Sequence, residues 1–492
     1  MMKPHTHHHA HSAAAPASLD RRRWLQRSGA GLATALGAGT LGNLMLGAKP
    51  AHAADYKALV CIFLYGGNDG MNTIVPTDAG RYNQYAAVRK GLALPRESLV
   101  NLSGINYGLH PALAGLAPAW RDGTLAPVFN VGTQTRPMSK AEYRASIGIA
   151  GALPDNLFSH SDQQTQWEAG TSSSFTRTGW GGRASETLNT INPVISVGGS
   201  TRFGQTDQQS PLVLPSHPGE TFGAQLLMPQ DMTWQPRIDR KAILEQLYAQ
   251  SQDLALAEAY GKVQHNAFVV SERLTNLVKI APGSPGASAV IDAAFAPIMS
   301  GSSLTTELGN QLYQVAKLIY GNATVQGSRQ IFFAQMDNFD THAGQVITGS
   351  PTEGNHARLL KELGDALGCF NTAMKNLGLG DAVTAFTQSD FGRTFVPNTT
   401  NGTDHGWGSH HLVVGGAVKG GTSYGVYPDL TLGGQNDIGV ESWEMHGRWL
   451  PSTSMEQYAG TLLGWFGVND TQVRQILPNL ARYGVTKLGF VA

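Results

Sequence analysis

The sequence predicts an α/β protein with a doubly wound, mostly parallel sheet sandwiched by helices. Three observations carry that expectation. Six short apolar runs recur along the chain, at 58–67, 126–133, 193–199, 329–337, 382–390 and 411–418. They are nearly continuous in apolar character, as strands covered on both faces are, rather than alternating. Segments of helical period lie between them. The clearest is HARLLKELGDALGCFNTAMKNLG, where Leu359, Leu363, Leu367, Phe370 and Met374 recur three or four residues apart in one apolar stripe.

In chain order, ALVCIFLYGG ends in glycines that let the backbone turn sharply, with Asp69 just beyond. APVFNVGT leads into NLFSHSDQQTQWEAG, where Ser159, His160 and Ser161 open a helical stretch. After PVISVGG, residues 238–322 form the largest strand-free block and read as a helical insertion suited to capping a site, with loops at 281–289 and 299–306. RQIFFAQMD then delivers Asp340 and His342, AVTAFTQSD delivers Asp390 and Arg393, and TDHGWGSHH introduces HLVVGGAV. Residues 54–492 carry no interdomain linker or repeat and read as one domain.

Ahead of that domain, Arg21 and Arg22 precede an Ala/Gly/Leu run and the small-residue site Ala51-His52-Ala53. This is the pattern of a twin-arginine signal peptide spanning 1–53, which predicts a periplasmic or extracellular protein with no transmembrane segment in the mature chain. Its removal takes six of the 35 Lys+Arg and one of the 35 Asp+Glu, leaving a formal charge near −5. Such a balance argues against a nucleic-acid partner. Cys61 and Cys369 fall in an apolar strand and a helix, and read as packing residues rather than a disulfide framework.

The chemistry is expected at the strand ends, because a parallel sheet opens its ligand crevice at the carboxyl edge. Asp340 and His342 are two residues apart, so in an extended loop they face one side and both can reach a divalent ion. Asp69, Asp390 and His405 occupy comparable positions after or before other strands. Together they predict a metal site of one or two ions, with mixed Asp and His ligands favouring Zn or Mn over harder cations. Each has a plainer reading alone: an aspartate after a strand is often an N-cap, and Ser161 with Gln164 can form a capping box. Beside a metal, Ser159 becomes a candidate nucleophile. Arg393 is a candidate clamp for non-bridging oxygens, or else an ion pair beneath the sheet.

The blocks LYGGNDGMNTIVP, NLFSHSDQQTQWEAG, NFDTHAGQ, SDFGRT with TDHGWGSHHLVVGGAVKGG, and RWLPSTSMEQYAGTLLGWFGV resemble, in order, an exported bacterial family known as domain of unknown function 1501. The resemblance spans nearly all of the mature chain. It implies an alkaline-phosphatase-like fold, related to sulfatases, that uses metals and a hydroxyl nucleophile on phosphate or sulfate esters. By this resemblance Asp69 is the first-strand metal aspartate and Ser159 the nucleophile, ahead of Ser161. Asp340 and His342 belong to one metal site, although the superfamily spaces that pair more widely. Asp390 is the acidic member of an Asp-His pair, and His405 is a late histidine ligand. Phe391 departs from the pattern, since a histidine is expected there.

Two functions follow. The first is a periplasmic metal-dependent hydrolase of small-molecule or polymer phosphate or sulfate esters. The second is a non-catalytic or single-metal envelope binding or assembly protein, acting with a partner exported alongside it, which the missing imidazole at position 391 favours.

Overall fold

The apolar runs become the strands of one sheet. In the computed structural model these are β1 (Lys57–Leu64), β2 (Leu125–Gly132), β3 (Ile195–Ser196), β4 (Leu212–Val213), β5 (Arg329–Met336), β6 (Val383–Ser389), β7 (Ser409–Gly415) and β8 (Thr453–Ser454). The helices used below are α1 (Ala79–Arg89), α2 (His160–Ala169), α3 (Trp180–Thr187), α4 (Gln235–Ala249), α5 (Ala255–Val278), α6 (Glu307–Tyr320), α7 (Asn355–Asn376) and α8 (Met455–Phe466). The structure describes residues 55–220, 233–250, 254–439 and 446–492, all within the unit 50–492. The expected twin-arginine signal peptide, 1–53, and its cleavage site lie outside the described residues.

The sheet order is β8-β2-β7-β6-β1-β5-β3-β4. The strands from β6 through β4 are parallel, and β8 is parallel to β2; only β7 runs antiparallel to its neighbours. The reversal has a local cause. No helical crossover separates β6 from β7, so the connecting loop returns the chain along the same edge instead of carrying it back to the start of the next strand.

Alternation along β1 divides the core into two layers, as a doubly wound sheet requires. Ala58, Val60, Ile62 and Leu64 pack with Leu312 and Ile319 of α6 and with Leu359, Leu363, Leu367, Phe370 and Met374 of α7. The predicted stripe of α7 is therefore its buried face. Leu59, Cys61 and Phe63 pack on the other side with Trp167 of α2, Trp180 of α3 and Leu462 of α8. Cys61 and Cys369 are both buried and unpaired.

Part of the insertion departs from the expected cap. The insertion holds α4, α5 and α6 and a small hairpin pairing Met299–Ser300 with Ser303–Leu304, where a plain loop was predicted. Arg273 of α5 bonds Asn192 just before β3, and Lys317 Nζ near the end of α6 bonds the carbonyls of Val278 and Ile280. These contacts lie at the amino-terminal ends of the strands, so α5 buttresses the sheet opposite the site and does not cap it. Among the described residues no helix is long and apolar enough to cross a membrane.

Register then assembles the site. Leu64 pairs with both Met336 and Ser389, so β1, β5 and β6 end level. The loops after them meet at one edge, and because β7 runs the other way, residues 403–408 arrive there as well.

Candidate metal centre

Gly66 and Gly67 take positive φ of 113° and 85° directly after β1. A Cβ on Gly66 would meet the Asp340 backbone, and one on Gly67 would meet the Phe391 ring, so the loops can close only around glycine here. Arg393 ties them together. It is fully buried, with Nε donating to the Gly67 carbonyl at 2.8 Å and Nη1 to Thr403 O at 3.3 Å. Nη2 donates to the carbonyls of Gly66 and Phe339 and to Asp340 Oδ1, the last at 2.6 Å. Four of its five N–H directions are taken and the side chain is fully buried, so the clamp on ester oxygens expected of Arg393 does not fit. It is a strut that positions Asp340.

Around Asp340 stand three imidazoles. His160 Nδ1 lies 2.7 Å from Asp390 Oδ2, His342 Nδ1 lies 2.8 Å from Asp404 Oδ1, and His405 Nδ1 lies 2.7 Å from the Phe158 carbonyl. Carboxylates and carbonyls only accept, so each Nδ1 carries the proton, and in the neutral ring each Nε2 presents a lone pair. Those lone pairs converge. The Nε2 atoms of His342 and His405 are 2.9 Å apart, and they lie 3.1 and 3.4 Å from Asp340 Oδ1. His160 Nε2 is 3.4 Å from Asp340 Oδ2, buried and without a hydrogen bond among the described residues.

Bare nitrogens and a carboxylate repel one another at such distances unless a proton or a metal ion lies between them. Ligand atoms on a tetrahedral ion with bonds of about 2.0–2.1 Å are roughly 3.3 Å apart, close to the spacings seen. The donor set therefore fits a divalent ion. His160, Asp340 and His405 offer ligand atoms all within 4.8 Å of one another and could hold it, with His342 alongside. The anchors behind the rings are the outer partners that metal-ligating histidines need to fix tautomer and orientation.

Electrostatics agrees. Burial, aided by the charge of Arg393, lowers His405 to about 4, which keeps its ring neutral and able to ligate. At Asp340 burial pushes upward, but the Arg393 hydrogen bond and charge outweigh it and hold the carboxyl below the usual range. Asp404 behaves likewise: burial raises it, and bonds from His342, Asn398 and His446 pull it lower.

The predicted residues thus separate. Asp340, His342 and His405 come together. Asp390 stands one step back, its Oδ2 accepting from His160, Gln164 and the Gly66 amide, and its buried Oδ1 has no partner among the described residues. Asp69 is placed elsewhere. Oδ1 caps the one-turn helix Gly70–Thr73 through the amides of Met71 and Asn72, while Oδ2 takes Arg89 of α1 and Gln345. With both oxygens engaged, the expected ligand role does not suit it. Ser159 is the N-cap residue of α2, yet its side chain makes no capping bond; the hydroxyl donates to Asp162 at 2.6 Å and lies 3.3 Å from Ser161.

The residue that sequence reasoning passed over is His160, between two serines that drew the attention. A usable signal was its spacing from Gln164: four residues apart on a helix they share a face, and both reach Asp390. His160 also answers the missing histidine at 391. Phe391 is buried with its ring 4.8 Å from both His160 and His405, so it forms the apolar wall while α2 supplies the imidazole. Asp404 orients His342 rather than its neighbour His405, and His446, 3.1 Å from Asp404 Oδ2, extends that chain. Nothing in the sequence around His446 marked it.

Fold and site together define an α/β protein with a carboxylate–imidazole centre at the carboxyl edge of its sheet. The family model described as "Protein of unknown function (DUF1501)" matches residues 56–455, and the chain belongs to that family. No curated protein sequence matches it. Solved structures similar to it include Ps i-CgsB in complex with k-i-k-neocarrahexaose, at 10% identity over 85% of this chain and 73% of that one, with a TM-score of 0.31. Another is a quadruple mutant of alkaline phosphatase PafA, at 16% identity over 70% of this chain and 64% of that one, with a TM-score of 0.23.

Proposed function

We propose that the chain is a metal-dependent hydrolase of phosphate or sulfate esters, holding its ion on His160, Asp340 and His405 with His342 beside them. The observation that supports it is the convergence of three lone-pair Nε2 atoms on one carboxylate at the strand ends. An ion held there would act as a Lewis acid toward an ester oxygen. Three imidazoles with one carboxylate suit Zn or Mn. The chain's own groups do the positioning: Asp390, Asp404 and the Phe158 carbonyl fix the rings, Arg393 fixes Asp340, and Phe391 excludes water from one side. Ser159 is the hydroxyl available at the α2 N-terminus, where free backbone amides favour an anion, and Asp162 orients its proton. Export through the twin-arginine route to the periplasm belongs to this reading.

The test pairs metal content with turnover. Purified protein should carry stoichiometric metal and cleave at least one member of a panel of aryl and sugar phosphates and sulfates. Chelation should abolish that activity, and Zn or Mn should restore it. Stoichiometric metal without turnover of any ester favours the second reading, a single-metal binding or assembly protein of the envelope. That reading draws support from Ser159 being bonded to Asp162 and Arg393 being sealed beneath the loops. Absence of metal removes the hydrolase reading and leaves the non-catalytic form of the binding or assembly protein.

A further inference from the structure

A cavity of about 680 Å³ opens beyond the ends of β5 and β3, between the start of α6 and the first turns of α7. Its volume falls in the range of small-molecule sites. It flanks the metal centre: Asp337 lines it, and three residues of extended chain span no more than about 11 Å, so Asp340 is within the length of a small organic molecule.

The lining is chemically selective. Glu220, Glu307, Asp337 and Glu362 contribute carboxylates, against Arg358 as the single Lys or Arg in it. The formal balance of −3 disfavours a polyanion such as a nucleic acid or polyphosphate. Arg358 makes no side-chain hydrogen bond or ion pair with any described residue, leaving its guanidinium donors open to the cavity. Glu307 and Glu220 meet His217 at 3.3 and 3.7 Å near the rim. Met336 and Leu359 add apolar surface between these groups. Several acceptors, one forked donor and apolar patches together match a ligand with many hydroxyls and C–H faces.

We propose that this cavity receives a saccharide, the hydroxyl-rich part of an ester whose phosphate or sulfate end lies at Asp340. The assignment rests on the hydrolase reading for its orientation, but the cavity can be tested without it. Saturation-transfer NMR of the purified protein with methyl glucoside should show binding. Glu307→Gln and Arg358→Ala should each weaken it at least tenfold, with metal content unchanged. Where ester turnover is present, Arg358→Ala should lower kcat/KM for glucose 6-phosphate or glucose 6-sulfate about tenfold and leave the corresponding p-nitrophenyl ester unaffected. If no ester is cleaved, the hydrolase reading fails while glucoside binding still decides the cavity. Absence of glucoside binding, binding indifferent to both substitutions, or preferential binding of choline, which would mark a cation pocket, overturns the proposal.

Discussion

His405 and His411 are six residues apart in one histidine-rich stretch, and the fold gives them opposite surroundings. His405 rests its Nδ1 on the Phe158 carbonyl and turns Nε2 to His342 and Asp340. His411 lies inside β7 with its ring 4.9 Å from Trp167 and 5.7 Å from Tyr458, and neither of its nitrogens has a hydrogen bond among the described residues. His410 points to the other face, where Nδ1 accepts from the Asn130 amide and the ring packs on Phe129 and Trp449. Density of histidine along a chain therefore does not mark a site. An acceptor behind Nδ1 and a carboxylate before Nε2 do.

The largest effect expected from breaking that contrast is at the ligands. Asp340→Ala, His160→Ala or His405→Ala should each remove most of the bound metal, read by elemental analysis after dialysis. His411→Phe should keep it. Pairing His160→Ala with His405→Ala should add little, because groups on one ion are not additive.

Asp69 sharpens the comparison from the carboxylate side. Asp69→Ala leaves Arg89 buried and uncompensated, a loss of roughly 3–5 kcal/mol in chemical denaturation, while metal stoichiometry of the folded fraction should persist.

The buried pair predicts an acid-sensitive stability. Burial holds both His410 and His411 down at about 3, below the 6.5 of an exposed imidazole. Between those values the unfolded chain binds protons that the folded chain does not, so stability is full above 6.5 and falls as pH drops toward 3. His411→Phe should remove one such contribution and retain about 3 kcal/mol more stability than the unmutated protein at pH 4, with little difference at pH 8.

The smallest effect concerns the anchor of His405. Phe158 holds a left-handed φ of 73°, its ring lies under the Arg448 guanidinium at 4.3 Å, and Arg448 Nε donates to the His405 carbonyl at 2.6 Å. Arg448→Ala should lower metal affinity about tenfold in competition with a chelator, the lower range for outer partners of a metal ligand.

Much of this architecture was legible beforehand because burial on both faces writes a continuous apolar run, and β1, β5, β6 and α7 follow their runs closely. β4 and β8, each only two residues long, left no such run. The antiparallel sense of β7 was not visible either, since a loop without helical period does not state its direction. At the site, Asp340, His342 and His405 were expected to meet from spacing and position, and their side chains do come together. His160 was passed over: its spacing from Gln164 put both on one face of α2, but that this face meets Asp390, 230 residues away, is visible only in the fold. Asp69 and Arg393 misled for one physical reason: a charged group at a strand end serves equally well to bind a ligand or to satisfy the loops around it, and only its partners decide.

The most direct test of the shared ion is X-ray absorption at the metal K-edge of the purified protein, with His342→Ala and His160→Ala beside it. The account predicts one ion per chain, bound by two or three imidazole nitrogens and a carboxylate oxygen at about 2.0–2.2 Å; His160→Ala should lose most of the ion, and the fraction it keeps should show one imidazole fewer. A stoichiometric ion with no imidazole scattering, or one whose occupancy and shell in His160→Ala match those of the unmutated protein, would contradict it.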